Sequence, residues 1–196
     1  MSGESKKFEF SPENFERANA HIAKYPEGRQ ASAVLPLLDL AQRQNGGWVS
    51  REAMSYIAGL LDMAEIRVYE VATFYTMVNL NPVGKYLIQL CRTTPCWLCG
   101  SDDLRDTCKN ELGIGVGETT DDSMFTLVEV ECLGACVNAP MVQINDDFYE
   151  DLSAARMKEI LAMLQRGEQP PVGSQTGRQT SAPATGATTL LDGGTA

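Results

Sequence analysis

Four cysteines in two tight pairs constrain this chain more than any other feature: Cys91 and Cys96 in Leu90-Cys-Arg-Thr-Thr-Pro-Cys96, then Cys132 and Cys136 in Glu131-Cys-Leu-Gly-Ala-Cys136. Each pair directly follows an apolar, β-branched run. Lys85–Leu90 reads as one buried strand and Met124–Val130 as another. A helical stretch from Ser101 to Leu112 lies between them, so the order is strand, helix, strand. Such a crossover makes the strands parallel and brings their C-terminal ends to one edge of the sheet. Both cysteine loops then emerge side by side, although 35 residues separate Cys96 from Cys132. Four thiolates converging there make a metal site.

The rest of the composition narrows the class. At 196 residues with 43% hydrophobic residues, the chain can hold one ordinary domain, or one domain plus a small helical companion. No apolar run approaches the roughly 20 residues that a membrane span needs, and the start lacks signal-peptide and transit-peptide patterns. A protein of the bacterial cytoplasmic side is expected. The net charge of −10 counts against nucleic acid or anionic lipid as the main partner. In a reducing compartment the six cysteines are more readily ligands or small packed residues than disulfides.

An α+β chain is predicted: an N-terminal helical bundle (1–82) that docks on a partner, a thioredoxin-like domain (83–166) and a tail (167–196). Residues 1–10 read as a flexible lead-in. Ser11-Pro12-Glu13 starts a helix to about Lys24. A second helix runs from about Ala33 to Gln44 with Pro36 in its first turn, and Ser50 caps a third that ends at Leu61. The fourth, Ala64 to Val78, is apolar nearly all round, which implies burial on several sides, within its domain or against a partner. Beyond the second cysteine pair, Met141–Asn145 and Phe148–Glu150 read as a hairpin turning at Asp146-Asp147. Ser153 then caps a helix from Ala154 to Gln165. From Gly167 onward, Gly, Pro, Ser and Thr make up more than half of the chain. That composition predicts an extended or disordered tail unless a partner holds it.

Four site chemistries fit the cysteines. A [2Fe–2S] cluster on Cys91, Cys96, Cys132 and Cys136 suits a thiolate tetrad, with Gly134 and Ala135 allowing close backbone approach. Structural zinc takes the same ligand type. Cys91, Cys96 and Cys99 also have plant-type ferredoxin spacing, with Cys99 in place of Cys136. Finally, Cys96-Trp-Leu-Cys99 is a dithiol redox pattern. Cys99 and Cys108 otherwise read as small packing residues, and Glu129, Glu131, Asp102 and Asp103 as the acidic surroundings of the site.

Thr93-Thr-Pro-Cys96, Gly117-Glu-Thr-Thr120, the run from Phe125 to Asn145 and Tyr149-Glu-Asp-Leu152 resemble the E-type [2Fe–2S] subunits of NADH:quinone oxidoreductases, respiratory complex I. These belong to the thioredoxin-like [2Fe–2S] ferredoxins. Val68–Met77 is similar to the same family, so the likeness spans about Ser11 to Gly167. The resemblance implies that the C-x₄-C and C-x₃-C ligands fall on Cys91, Cys96, Cys132 and Cys136. Cys99 is a departure, standing where a non-cysteine residue is expected. The resemblance further implies a flavin-bearing partner subunit that binds FMN and NADH, a second iron–sulfur subunit of the peripheral arm as neighbour, and one-electron exchange between cluster and FMN. It also implies a peripheral place on the cytoplasmic side of the bacterial inner membrane. Related subunits of NAD-dependent hydrogenases and formate dehydrogenases are the alternative. The chain carries no Gly-rich dinucleotide fingerprint of its own.

Overall fold

The first helix, α1 (Pro12–Ile22), begins where Ser11 Oγ accepts the amide of Asn14 at 3.3 Å. The computed structural model describes residues 7–183, 185 and 186. The chain divides into two units, Met1–Val83 and Gly84–Ala196.

In the first unit, α1 is followed by α2 (Val34–Gln44), α3 (Arg51–Leu61) and α4 (Glu65–Phe74). A 3₁₀ turn, Gln30–Ala33, leads into α2, which places Pro36 in the first turn, where an amide has no partner to lose. Ser50 Oγ accepts the Ala53 amide at 3.2 Å and caps α3. Leu37, Leu38, Ile57, Leu61 and Val68 form the unit's core together with small residues such as Ala41, Ala53 and Ala72.

Two expectations need correction here. The lead-in is packed from its first described residues: Phe8, Phe10 and Tyr56 meet edge to face at 5.5–5.8 Å, and Phe10 is buried. Residues 1–6 lie outside the described set. Helix α4 stops at Phe74 instead of Val78, because the following backbone finds partners outside the helix. Gln42 Nε2 donates to the Met77 carbonyl (3.0 Å), the Asn79 amide donates to Gln42 Oε1 (2.7 Å), and the Val49 amide donates to the Asn79 carbonyl (2.8 Å). Within its unit α4 buries only Val68 and Ala72, leaving Ile66 (60%) and Phe74 (77%) exposed, and Met77 (64%) is exposed just beyond its end.

The second unit is a sheet of order β2-β1-β3-β4-β5. Strand β1 (Tyr86–Cys91) pairs in parallel with β2 (Phe125–Val130) and antiparallel with β3 (Val142–Ile144). Strand β4 (Asp147–Glu150) pairs antiparallel with β3 and in parallel with β5 (Gly173–Ser174). Between β1 and the crossover, residues 94–98, read as loop from the sequence, form a short helix, α5 (Thr94–Leu98), with Pro95 in its first turn. Helix α6 (Ser101–Leu112) makes the crossover, and α7 (Ala154–Gln165) packs beside it. Ile88, Leu90, Leu104, Leu127, Val142, Met157, Ile160 and Leu164 form the core between sheet and helices. Gly84 is a close approach: an added Cβ would lie 2.7 Å from the Phe125 backbone, while its amide donates to Thr126 Oγ1 at 2.6 Å.

Two further local differences bear on the site. The hairpin turns at Asn145-Asp146, one residue earlier than expected, because Asn145 adopts a left-handed φ of 55°. Asn145 Oδ1 also accepts the Leu87 amide (2.9 Å), and its Nδ2 donates to the Lys85 carbonyl (3.0 Å), which ties the turn to β1. The described part of the tail, expected to be extended or disordered, is docked, and residues 184 and 187–196 lie outside the described set. Gly173–Ser174 completes the sheet, and Gln175 donates from its amide to the Glu150 carbonyl at 2.9 Å. Backbone pairing along the β4 edge holds it without requiring a core of its own.

Candidate metal centre

Cys91 is the last residue of β1, opposite Val130, the last residue of β2. Successive strand residues point to opposite faces. Leu90 therefore joins the main core, whereas Cys91 joins a separate apolar pocket with Cys96, Met141, Leu133, Ala135, Ala139 and Phe148. The chain leaves Cys91, and α5 presents Cys96 to the same pocket; both thiols are about 1% exposed. Past β2, the second loop carries Cys132 and Cys136, both exposed, with sulfurs 3.3 Å apart. Gly134, between them, takes a left-handed φ of 85° that directs its amide to Cys132 Sγ at 3.4 Å. A 3₁₀ turn, Cys136–Asn138, follows, and Ala139–Pro140 is cis.

Thr93 sits beside the first pair. Its hydroxyl lies 3.4 Å from Cys91 Sγ. Burial pushes the Cys91 thiol up, but Thr93, the Leu133 amide and Cys96 together bring it below the ordinary thiol value. Burial, followed by the bond to Cys91, drives Cys96 up to about 12. Cys132 is held low, first by the Gly134 amide and then by Cys136 and Thr93, against the opposing charge of Glu131. Cys136 is raised, first by its bond with Cys132 and then by burial and the charges of Cys132 and Cys91. Each pair thus contains one thiol biased toward thiolate and one biased toward the protonated form.

Among the described residues, no group of three or more His, Cys, Asp or Glu side chains is arranged to hold one metal ion. The thiols come as two pairs, from two loops at one sheet edge. Paired thiolates suit a binuclear cluster, which takes two per iron; a tetrahedral zinc site takes four about one ion. Cys99 ends α5 and is exposed, and Cys108 lies fully buried in the main core. A dithiol oxidoreductase uses an accessible, low-pKa attacking cysteine; Cys96, buried and pushed up, has the opposite properties.

The acidic surroundings are partly compensated. Arg92 Nη1 donates to Glu129 at 2.8 Å and Nη2 lies 3.8 Å from Asp102, which also pairs with Arg105 at 2.8 Å. Asp102 further accepts the Trp97 indole N–H at 3.1 Å. Sequence reasoning gave no role to Thr93, Arg92 or Asn138. Thr93 was visible only as part of a familiar motif, and its hydroxyl beside Cys91 Sγ emerges only in the folded chain.

Fold and thiol site together define a ferredoxin built on a thioredoxin-like sheet. Residues 18–165 match the family model described as thioredoxin-like [2Fe-2S] ferredoxin, and the chain belongs to that family. It is 60% identical over 158 residues to the E subunit of the NADH-quinone oxidoreductase of Rickettsia conorii, covering 81% of this chain and 95% of that one. It is 52% identical over 185 residues to NADH dehydrogenase [ubiquinone] flavoprotein 2, mitochondrial, of Dictyostelium discoideum, covering 94% of this chain and 75% of the relative. Among solved structures, an NAD⁺-reducing [NiFe]-hydrogenase in the air-oxidized state shares the fold, with TM-score 0.60 and 20% identity. That match covers 68% of this chain and only 23% of the hydrogenase chain. The resemblance drawn from residues 93–152 and the α+β class are both borne out. Among the described residues, no helix is long and apolar enough to cross a membrane.

Proposed function

We propose that this chain is the electron-transfer subunit of an NADH:quinone oxidoreductase, with a [2Fe–2S] cluster held by Cys91, Cys96, Cys132 and Cys136. The observation that carries the reading is the pairing of two thiols from each loop at the common edge of β1 and β2. The 59–60% identity to E subunits of NADH-quinone oxidoreductases supports the complex. When bound, the cluster supplies reversible one-electron storage.

The chain's own residues set up that chemistry. The Gly134 amide and the Thr93 hydroxyl point at sulfur and favour its thiolate form. Met141, Leu133 and Phe148 shield the inner pair from water. The outer pair stays exposed, and next to the four cysteines Trp97 (52%), Leu98 (71%) and Val137 (64%) present apolar surface outward. Such a rim fits a protein partner. In this reading the partner is a flavin-bearing subunit, whose FMN takes hydride from NADH and exchanges single electrons with this chain, beside a second iron–sulfur subunit of the peripheral arm. The exposed α4 residues Ile66 and Phe74, with Met77 just beyond the helix, make the helical unit a docking element of the same assembly. The assembly would lie on the cytoplasmic side of the bacterial inner membrane. A diaphorase role in a hydrogenase has only the fold likeness at 20% identity in its favour.

The test is anaerobic purification with iron, sulfide and zinc analysis, followed by EPR after NADH addition in the presence of the flavoprotein subunit. Two irons and two sulfides per chain, with an NADH-dependent [2Fe–2S] signal, are expected. A zinc-rich, iron-free chain, or a cluster that NADH leaves oxidised, overturns the reading.

A further inference from the structure

The segment beyond α7 reaches back to the second cysteine loop. After β5, Arg178 lies with its guanidinium forked between two acceptors. Its Nη2 pairs with Asp151 Oδ1 at 2.8 Å, and its Nη1 donates to the Val137 carbonyl at 3.0 Å. The pair is largely out of water, the side chains being 15% and 7% exposed, so salt screens it little. The other Asp151 oxygen accepts the Ser174 hydroxyl at 2.6 Å, and Ser174 Oγ accepts the Arg178 amide at 3.2 Å. Two residues on, the Thr180 carbonyl accepts from Asn138 Nδ2 at 2.9 Å. Asn138 is 2% exposed, and its carbonyl accepts the Asp151 amide at 2.7 Å.

Val137 and Asn138 directly follow Cys136. Their 3₁₀ turn belongs to no strand or long helix, so bonds from the tail help to fix where Cys136 stands. Covering the β4 edge would need only Gly173–Gln175. The onward run to Arg178 and Thr180 is not explained by edge protection. A guanidinium fork also fixes geometry better than a point charge, because both acceptors must lie in its plane. The family match ends at residue 165, so Gly173–Thr180 lies beyond the part matched by the family model, while its partners Val137, Asn138 and Asp151 lie within it.

We propose that Gly173–Thr180 is a strap that positions the second cysteine loop, with Arg178 as its positioning residue. The inference rests on the reading of Cys132 and Cys136 as cluster ligands.

Full-length wild type, Arg178→Ala and Arg178→Lys distinguish the possibilities. Amide hydrogen exchange is followed in the metal-free chain, and iron release to a ferrous chelator in the cluster-loaded chain. In Arg178→Ala, the 133–138 amides should exchange about tenfold faster, the size expected for one charge-assisted hydrogen bond, while β1 amides keep their protection. Iron release should accelerate in step. Arg178→Lys keeps the charge toward Asp151 without the fork and should fall between the two. Unchanged loop exchange in Arg178→Ala, or equal acceleration in the loop and β1, overturns the strap. If wild type takes up no iron, the ligand reading fails on its own, and the exchange data still judge the strap.

Discussion

Cys91 sits directly opposite Val130 in the parallel ladder, so the two cysteine loops leave the sheet at the same level. One residue of slippage would turn Cys91 into the helix-covered core and Leu90 into the pocket of Cys96 and Met141. The apolar sets of both strands resist that slip, because Ile88, Leu90, Phe125 and Leu127 are all buried in that core.

Replacing any one of Cys91, Cys96, Cys132 or Cys136 by Ser should abolish or severely weaken the cluster, whereas Cys99→Ser and Cys108→Ser should retain it. Iron content and the reduced-state EPR signal provide the check. Loss in Cys99→Ser with retention in Cys136→Ser would move the ligand set to the C-x₄-C-x₂-C spacing.

Charge beside the cluster should act through Glu131 more than through Glu129. Glu131 bears directly on Cys132, whereas Glu129 is paired with Arg92 at 2.8 Å. Glu131→Gln is expected to raise the midpoint potential by ~30–60 mV, the scale of one exposed charge on a one-electron couple. An EPR-monitored redox titration in which Glu129→Gln shifts the potential more than Glu131→Gln would refute this ordering.

The exposed residues of α4 should matter for assembly and not for folding. Phe74→Asp is expected to change unfolding free energy by no more than about 0.5 kcal/mol, because the ring is 77% exposed. Binding to the flavoprotein subunit should nevertheless weaken. Denaturant unfolding and size-exclusion of the mixed subunits separate these effects; a strongly destabilised variant, or unimpaired assembly, contradicts the docking role.

Burial drives the Cys108 thiol up to about 12 from an ordinary value near 9. A raised folded-state pKa means that the folded chain holds its proton more tightly than the unfolded chain. The stabilising contribution is therefore complete below about pH 9 and is lost as pH rises toward about 12. Cys108 should resist alkylation at pH 8 in the native chain and react on unfolding. Replacement by Ala should flatten the alkaline loss of stability, as measured by urea unfolding at a series of pH values.

Much of this architecture was readable because its signals are local. The caps at Ser11, Ser50 and Ser153 and the apolar runs of β1 and β2 act over a few residues, and their elements begin within a residue or two of the expected places. The crossover rule then brings the two cysteine pairs together from the order of elements alone. The end of α4 was not readable, since Gln42 and Asn79, 37 residues apart, supply the bonds that stop the helix.

The tail marks the boundary between the two kinds of information. Its composition determined that it forms no core, and its described part forms none. Its docking depends on a free strand edge at β4 and on acceptors at Asp151 and Val137, which only the folded chain presents. Local propensity and periodicity are properties of neighbouring residues, and the sequence by itself determined the elements and the cysteine spacing. Strand register, the tie from Asn145 to β1 and the Arg178 fork are relations between distant residues, and tertiary structure alone decided them, because each bond forms only after both partners have been placed.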